Sequence, residues 1–220
     1  MILGSWGLKS SRKSAGGLTT LVLKGQTIAK QKRAKGQSNP SPQYLQSQAA
    51  ARLIVGIFQK VKSAINAGFT SMKPTESPYN AFYSYTYLNA LDLSSPPAAT
   101  LEPADLLVSK GLMTPTIESA ATTAVASTGV ITVHHATTEA DATQLATDQS
   151  IIVAYNNTQD KWFAGIAAGL RSSATATITA PTGFMIATDS ITVYFGMYGV
   201  APAANAGTSS NSVNSTVTAS

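Results

Sequence analysis

The residues SPQYLQSQAAARLIVGIFQKVKSAINAGF, Ser41 to Phe69, carry the start, the apolar face and the end of one long helix, and the rest of the chain has to arrange itself around that rod. Ser41 is a good N-cap, and Pro42 suits the first helical position, where a missing N–H costs nothing and φ is already set. Leu45, Ala49, Leu53, Ile57, Val61 and Ile65 recur at near-helical spacing, with Ile54 and Phe58 beside them, forming a stripe wide enough to pack on a core. Gly68 is the expected stop. Arg52, Lys60 and Lys62 fall off the stripe, on a face open to solvent or to an anion.

Charge divides the chain on either side of this helix. Twelve Lys or Arg residues and no acid precede Glu76; beyond Thr75 three basic residues face ten acids, so the two parts carry +12 and −7. The basic part either neutralises nucleic-acid phosphates by counterion release or meets the acidic face of a neighbouring subunit. Only 11% of the 220 residues are charged although 44% are apolar, which predicts a neutral, Ala/Ser/Thr-rich surface fit for packing against copies of itself. The absence of cysteine excludes disulfides, thiolate chemistry and Cys-ligated zinc. The start MILGSWGLKSSRKS has no apolar signal-peptide core and the longest apolar run, Leu53 to Phe58, is too short to span a bilayer, so no membrane partner is expected.

Residues 1–38 read as a basic arm and a β-hairpin. Lys9, Arg12 and Lys13 sit among glycines and serines, with Trp6 as the candidate partner anchor. Leu18–Leu23 and Gln26–Lys30 are β-prone runs joined at Lys24-Gly25. Lys30, Lys32, Arg33 and Lys35 follow in a cluster that, with Lys9, Arg12, Lys13 and Lys24, makes the candidate nucleic-acid or subunit contact. Residues 39–93 form a two-helix segment: Ser77 and Pro78 repeat the start signal, and Tyr79, Phe82, Tyr83, Tyr87, Ala90 and Leu91 share a face suited to packing on the first helix. Residues 94–103, rich in proline, read as a linker.

From 104 to 220 short β-prone runs alternate with turn residues: 106–109, 116–121, 129–134, 150–156, 161–167, 174–180, 190–198 and 212–218. In ITVYFGMY the pattern directs Ile191, Val193, Phe195 and Met197 inward and Thr192 and Tyr194 outward. The fold class expected is α+β, mainly β: a basic arm with hairpin, two helices, and an immunoglobulin/fibronectin III-like β-sandwich with a low-complexity C-terminal end.

Taken in order, GSWGLKSSRKSAGGLTTLVLKGQ, Asn39-Pro40, the AGF of Ala67 to Phe69, SPYNAF, the NAL of Asn89 to Leu91, LLVSKGLM, IIVAYN, RSSATATITAP, ITVYFGMYG and the SNS of Ser210 to Ser212 resemble an uncharacterised family of bacterial and phage proteins of Bacteroidota. The resemblance covers nearly the whole chain. It implies a basic N-terminal region followed by a fibronectin-like β domain, and no known activity.

Reactive groups are sparse. The adjacent His134 and His135 point to opposite sides of a strand, and Glu139, Asp141 and Asp148 lack the ligand order of a calcium loop. No phosphate-binding loop, dinucleotide fingerprint or nucleophile elbow is present, so neither catalysis nor a cofactor is expected. The expected function is a non-enzymatic phage virion protein, a capsid, head or tail component that assembles with itself and other virion proteins and contacts the genome through its basic region. The alternatives are a cytoplasmic bacterial protein that binds nucleic acid without reading sequence, and, less favoured for want of a signal peptide, a surface adhesin.

Overall fold

In the computed structural model the described residues are 14–15, 18–23, 26–31, 40–70, 76–113, 122–137, 144–200 and 207–220, the first three groups as backbone only. They belong to two compact units, Met1–Ser41 and Pro42–Ser220. In the first unit β1 (Ser14–Ala15), β2 (Leu18–Leu23) and β3 (Gln26–Gln31) form an antiparallel sheet in that order. The register Thr19 to Lys30 and Leu23 to Gln26 is that of the expected hairpin, whose Lys24-Gly25 turn lies outside the described residues.

The second unit begins with α1 (Pro42–Gly68), kinked at Val61, and α2 (Pro78–Asn89). Ser77 caps α2 by accepting from the Asn80 amide at 3.2 Å, and Pro78 opens the first turn, as the sequence directs. The buried face of α1 is Ala50, Ile54, Ile57, Val61, Ala64 and Ile65. That stripe is rotated from the expected one: Leu45 is exposed and Leu53 half-buried, because Ile54 and Ala64 face the sheet. The aromatic face of α2 meets α1 as expected, with Phe58 packed edge-on against Tyr79 at 4.8 Å and Phe82 edge-on against Phe69 at 5.7 Å.

The remaining strands are β4 (Leu91–Asp92), β5 (Thr100–Leu101), β6 (Thr122–Val125), β7 (Val130–His134), β8 (Gln149–Asn156), β9 (Lys161–Leu170), β10 (Thr175–Thr179), β11 (Ser190–Tyr198) and β12 (Val213–Thr218). The fold is therefore mixed α+β and mainly β. Besides the β4–β5 pair there are two antiparallel sheets, ordered β10-β7-β6 and β12-β11-β8-β9. Ile152, Ala154, Ile191, Val193, Phe195 and Met197 point from the four-stranded sheet into a core shared with Ile131, Val133, Ala176 and Ile178 of the three-stranded one. The alternate residues Ile151, Val153 and Tyr194 enter a second core with Ile54, Val61, Phe82 and Leu106. Tyr194, expected to face outward, does leave the sheet-sheet core but is wholly buried under the helices, its hydroxyl donating to the Pro103 carbonyl at 2.8 Å. A sheet covered on both faces has no solvent side, which is why β8 and β11 read as nearly continuous apolar runs.

Three local expectations change. Residues 94–103, read as a linker, lie inside the second unit, where β5 pairs with β4 and the Leu93 and Ala98 carbonyls accept from the Gln46 side chain. Leu106–Ser109 is extended but joins no ladder, since its backbone bonds go singly to other elements: Val108 N–H to the Ser212 hydroxyl, and Ser109 C=O from the Ser212 amide. The expected strand 116–121 lies outside the described residues. Gly68 ends α1 without the left-handed conformation of a glycine stop; a Cβ there would sit 2.6 Å from that of Ser109, so close approach of two backbones demands the glycine.

Asp148 and Arg171 form a fully buried ion pair, Nη2 to Oδ2 at 3.0 Å, with Nε 3.1 Å from the same oxygen and Nη2 3.3 Å from the Met113 sulfur. Removing one partner from such a pair strands a desolvated charge, so Arg171→Met is expected to cost about 3–5 kcal/mol in urea unfolding. Ile54→Ala is expected to cost about 2–5 kcal/mol, and Leu53→Ala clearly less because Leu53 keeps part of its surface in water. Equal losses at the two positions would contradict the helix orientation.

Candidate functional site

Of the sequence-predicted contact residues, Trp6, Lys9, Arg12, Lys13, Lys24, Lys32, Arg33 and Lys35 lie outside the described residues. Lys30 belongs to β3, opposite Thr19 of β2. All eight predicted cations fall within the first unit, Met1–Ser41, which contains no acid, whereas Pro42–Ser220 holds seven basic residues and ten acids. Arg52, Lys60 and Lys62 are exposed on α1, off its apolar face.

The titratable groups singled out in the second half are dispersed. His134 is exposed and His135 buried, as their adjacency requires; the His135 ring stacks 5.2 Å from Phe195, its Nδ1 donates to the Ala136 carbonyl at 3.2 Å, and burial holds its pKa below the usual imidazole value. Asp148 is held by Arg171 and the Leu145 amide, while Glu139 and Asp141 lie outside the described residues. Among the described residues no three His, Asp or Glu side chains converge on a point where a metal ion would be held.

A cleft of about 380 Å³ opens beside α1, lined by Lys60, Asp160, Lys161, Trp162, Thr182 and Phe184 among others. Its walls are the turn between β8 and β9 and the loop between β10 and β11, and hydrogen bonds lace the two together. Asn156, fully buried at the end of β8, donates to the Phe184 carbonyl and to Asp189, both at 2.7 Å, and its own carbonyl accepts from the Thr158 and Gln159 amides at 3.0 Å. Asp189 also accepts from Gln159 at 2.5 Å and from the Ile186 amide at 2.9 Å. The Lys161 ammonium donates to the Gly183 carbonyl at 2.6 Å and to Gln159 at 2.7 Å. Asp160 has a φ of 50°, a left-handed conformation that Asp tolerates better than most residues at a turn, and one of its oxygens accepts from the Tyr155 hydroxyl at 3.2 Å. Trp162 lies parallel to Tyr155 with centroids 4.3 Å apart.

The cleft presents two ammonium groups, one carboxylate and an apolar wall, and the described lining contains no hydroxyl or amine paired with a base as a nucleophile would need. Sequence reasoning missed the cleft because its parts, from Lys60 to Phe184, are separated by up to 124 positions; the local sign is Asn156-Asn157 in a turn between two strands.

The hydrogen bond from Asn156, then that from the Ile186 amide, holds the Asp189 carboxyl below its ordinary pKa. A depressed folded-state pKa means that the unfolded chain binds the proton more tightly. Asp189 therefore contributes stability fully above its unfolded value near 3.8, and that contribution is lost as the pH falls towards the lower folded value. Asp189→Asn should destabilise the protein at neutral pH and flatten the acid limb of its stability curve. An acid limb identical to the parent's in denaturant titrations would show that the network does not hold the carboxylate charged.

No curated protein matches the chain. Among solved structures it is similar to the crystal structure of a family 76 glycoside hydrolase from a bovine Bacteroides thetaiotaomicron strain, at 12% identity and a TM-score of 0.32, over 48% of this chain. The aligned part spans 20% of that enzyme, a likeness too slight to assign either fold or activity. A family described as of unknown function, DUF6266, matches residues 12–214. The chain accordingly belongs to the DUF6266 family.

Proposed function

We propose that this protein is a non-enzymatic structural component of a phage virion, of capsid, head or tail, which assembles with copies of itself and other virion proteins while its basic region contacts the genome or a neighbouring subunit. The observation that carries the proposal is the unequal division of charge between the two structural units: Met1–Ser41 has eight cations and no acid, and the unit that follows has a net formal charge of −3. A unit whose charged residues are all basic, linked in one chain to a weakly acidic one, suits sequence-blind contact with phosphates, and equally subunit-to-subunit attraction of opposite charges.

The β portion supports the same reading. Strands β6–β12 pack as two sheets, β10-β7-β6 and β12-β11-β8-β9, around one core, which supports reading them as a fibronectin III-like sandwich, an architecture used widely for protein contacts. From Ser190 to Ser220 there is no charged residue, so two copies could meet along this region without like-charge repulsion. No described helix is long and apolar enough to cross a membrane.

Size-exclusion chromatography with light scattering and a 260/280 nm absorbance ratio, at low and high salt, tests the proposal. A large defined assembly is the expected result; a small species that carries nucleic acid only at low salt would instead identify a cytoplasmic, sequence-independent nucleic-acid-binding protein. Replacing Lys30, Lys32, Arg33 and Lys35 together by Ala should leave the thermal midpoint nearly unchanged and reduce the slope of log K against log salt by about 3–4 on duplex DNA. An unchanged slope would remove these four residues from any contact with the genome.

A further inference from the structure

We infer that the cleft beside α1 is a nucleotide site, one that takes a flat heteroaromatic ring with an attached phosphate. Three features point to that chemistry, and none of them depends on the role assigned to the basic N-terminal unit.

The first is charge. Lys60 and Lys161 face the same cleft from different elements, α1 and β9, against the single carboxylate of Asp160, which leaves a positive excess in a concave site. Lys60 is exposed and enters no ion pair or hydrogen bond among the described residues, so its ammonium is open to a ligand. The second is the wall between the charges. Trp162, with Pro181 and the edge of the nearly buried Phe184, gives the cleft an apolar side against which a planar ring can lie, and one oxygen of Asp160 is held by Tyr155 while the other can accept from a ring amine. A ring amine beside a phosphate is what a nucleotide supplies and a simple sugar does not.

The third feature is preorganisation. The bonds of Asn156 to the Phe184 carbonyl and Asp189, and of Lys161 to the Gly183 carbonyl, fix the two loops before any ligand arrives. A site already held open loses little entropy on binding, so a few polar contacts suffice for measurable affinity. The cleft measures about 380 Å³ and is open to solvent, so a nucleotide would lie against it with one side in water.

The ligand can be a free nucleotide or one residue of a strand, and the same assay separates these sources. The full chain carrying Trp6→Phe leaves Trp162 as its only tryptophan, and its fluorescence is titrated with AMP, adenosine, ribose 5-phosphate and a ten-residue oligodeoxyadenylate. AMP is expected to quench saturably, with adenosine and ribose 5-phosphate at least about tenfold weaker, and Lys60→Glu, at an unchanged thermal midpoint, is expected to weaken AMP by about tenfold or more. Saturable quenching by the oligonucleotide but not by AMP, lost with Lys60→Glu, would assign the site to a strand. If neither probe changes Trp162 fluorescence, or if Lys60→Glu leaves binding unaltered, the inference is overturned. Oligonucleotide retained by a protein whose Trp162 stays silent would overturn it too, while leaving the role of the basic unit intact.

Discussion

The central strands β8 and β11 of the four-stranded sheet are buried on both faces, and the rest of the second unit depends on that double burial. Side chains of β8 and β11 alternate between two cores, Ile152 and Val193 toward the other sheet, Ile151 and Tyr194 toward the helices. A slip of one residue in either strand would exchange the two sets, so each core enforces the register that the other needs. Helix α1, backed by α2, is thus the second cover of the sheet and not an appendage to the two packed sheets. The Pro-rich stretch lies inside the unit as well, tied to α1 by the Gln46 side chain, which donates to the Leu93 and Ala98 carbonyls.

The same constraint shapes the cleft. Trp162 follows the alternation of β9 to the helix side, where it meets Tyr155 and comes within reach of Lys60. Polar groups buried at the end of the sheet cannot remain unpaired without cost, and Asn156 and Asp189 resolve this by tying the two adjoining loops together. A demand of folding, satisfied in this way, leaves rigid walls around an open space.

Much of this was legible in the residues. The strands over 129–134, 150–156, 161–167, 174–180, 190–198 and 212–218 were readable because turn residues punctuate them and side chains alternate at a period of two. The Ser77-Pro78 start was readable because capping is local chemistry. What misled was equally physical. The apolar residues of α1 are numerous enough to support two adjacent stripes, and only the sheet beneath selects Ile54 and Ala64 over Leu45. Gly68 satisfies a local rule for helix ends, yet it is required by Ser109, forty-one positions away, and no local pattern records that contact.

By itself the sequence determined the class of fold, the hairpin register in the basic unit, the capped second helix and the segregation of charge, because each follows from neighbours along the chain. Tertiary structure alone decided which face of α1 is buried, that Tyr194 is covered, that Asp148 finds Arg171, and that Lys60 and Lys161 share a cleft. Periodicity specifies that a side chain leaves one side of an element; what waits on that side is fixed only when distant segments are packed against it.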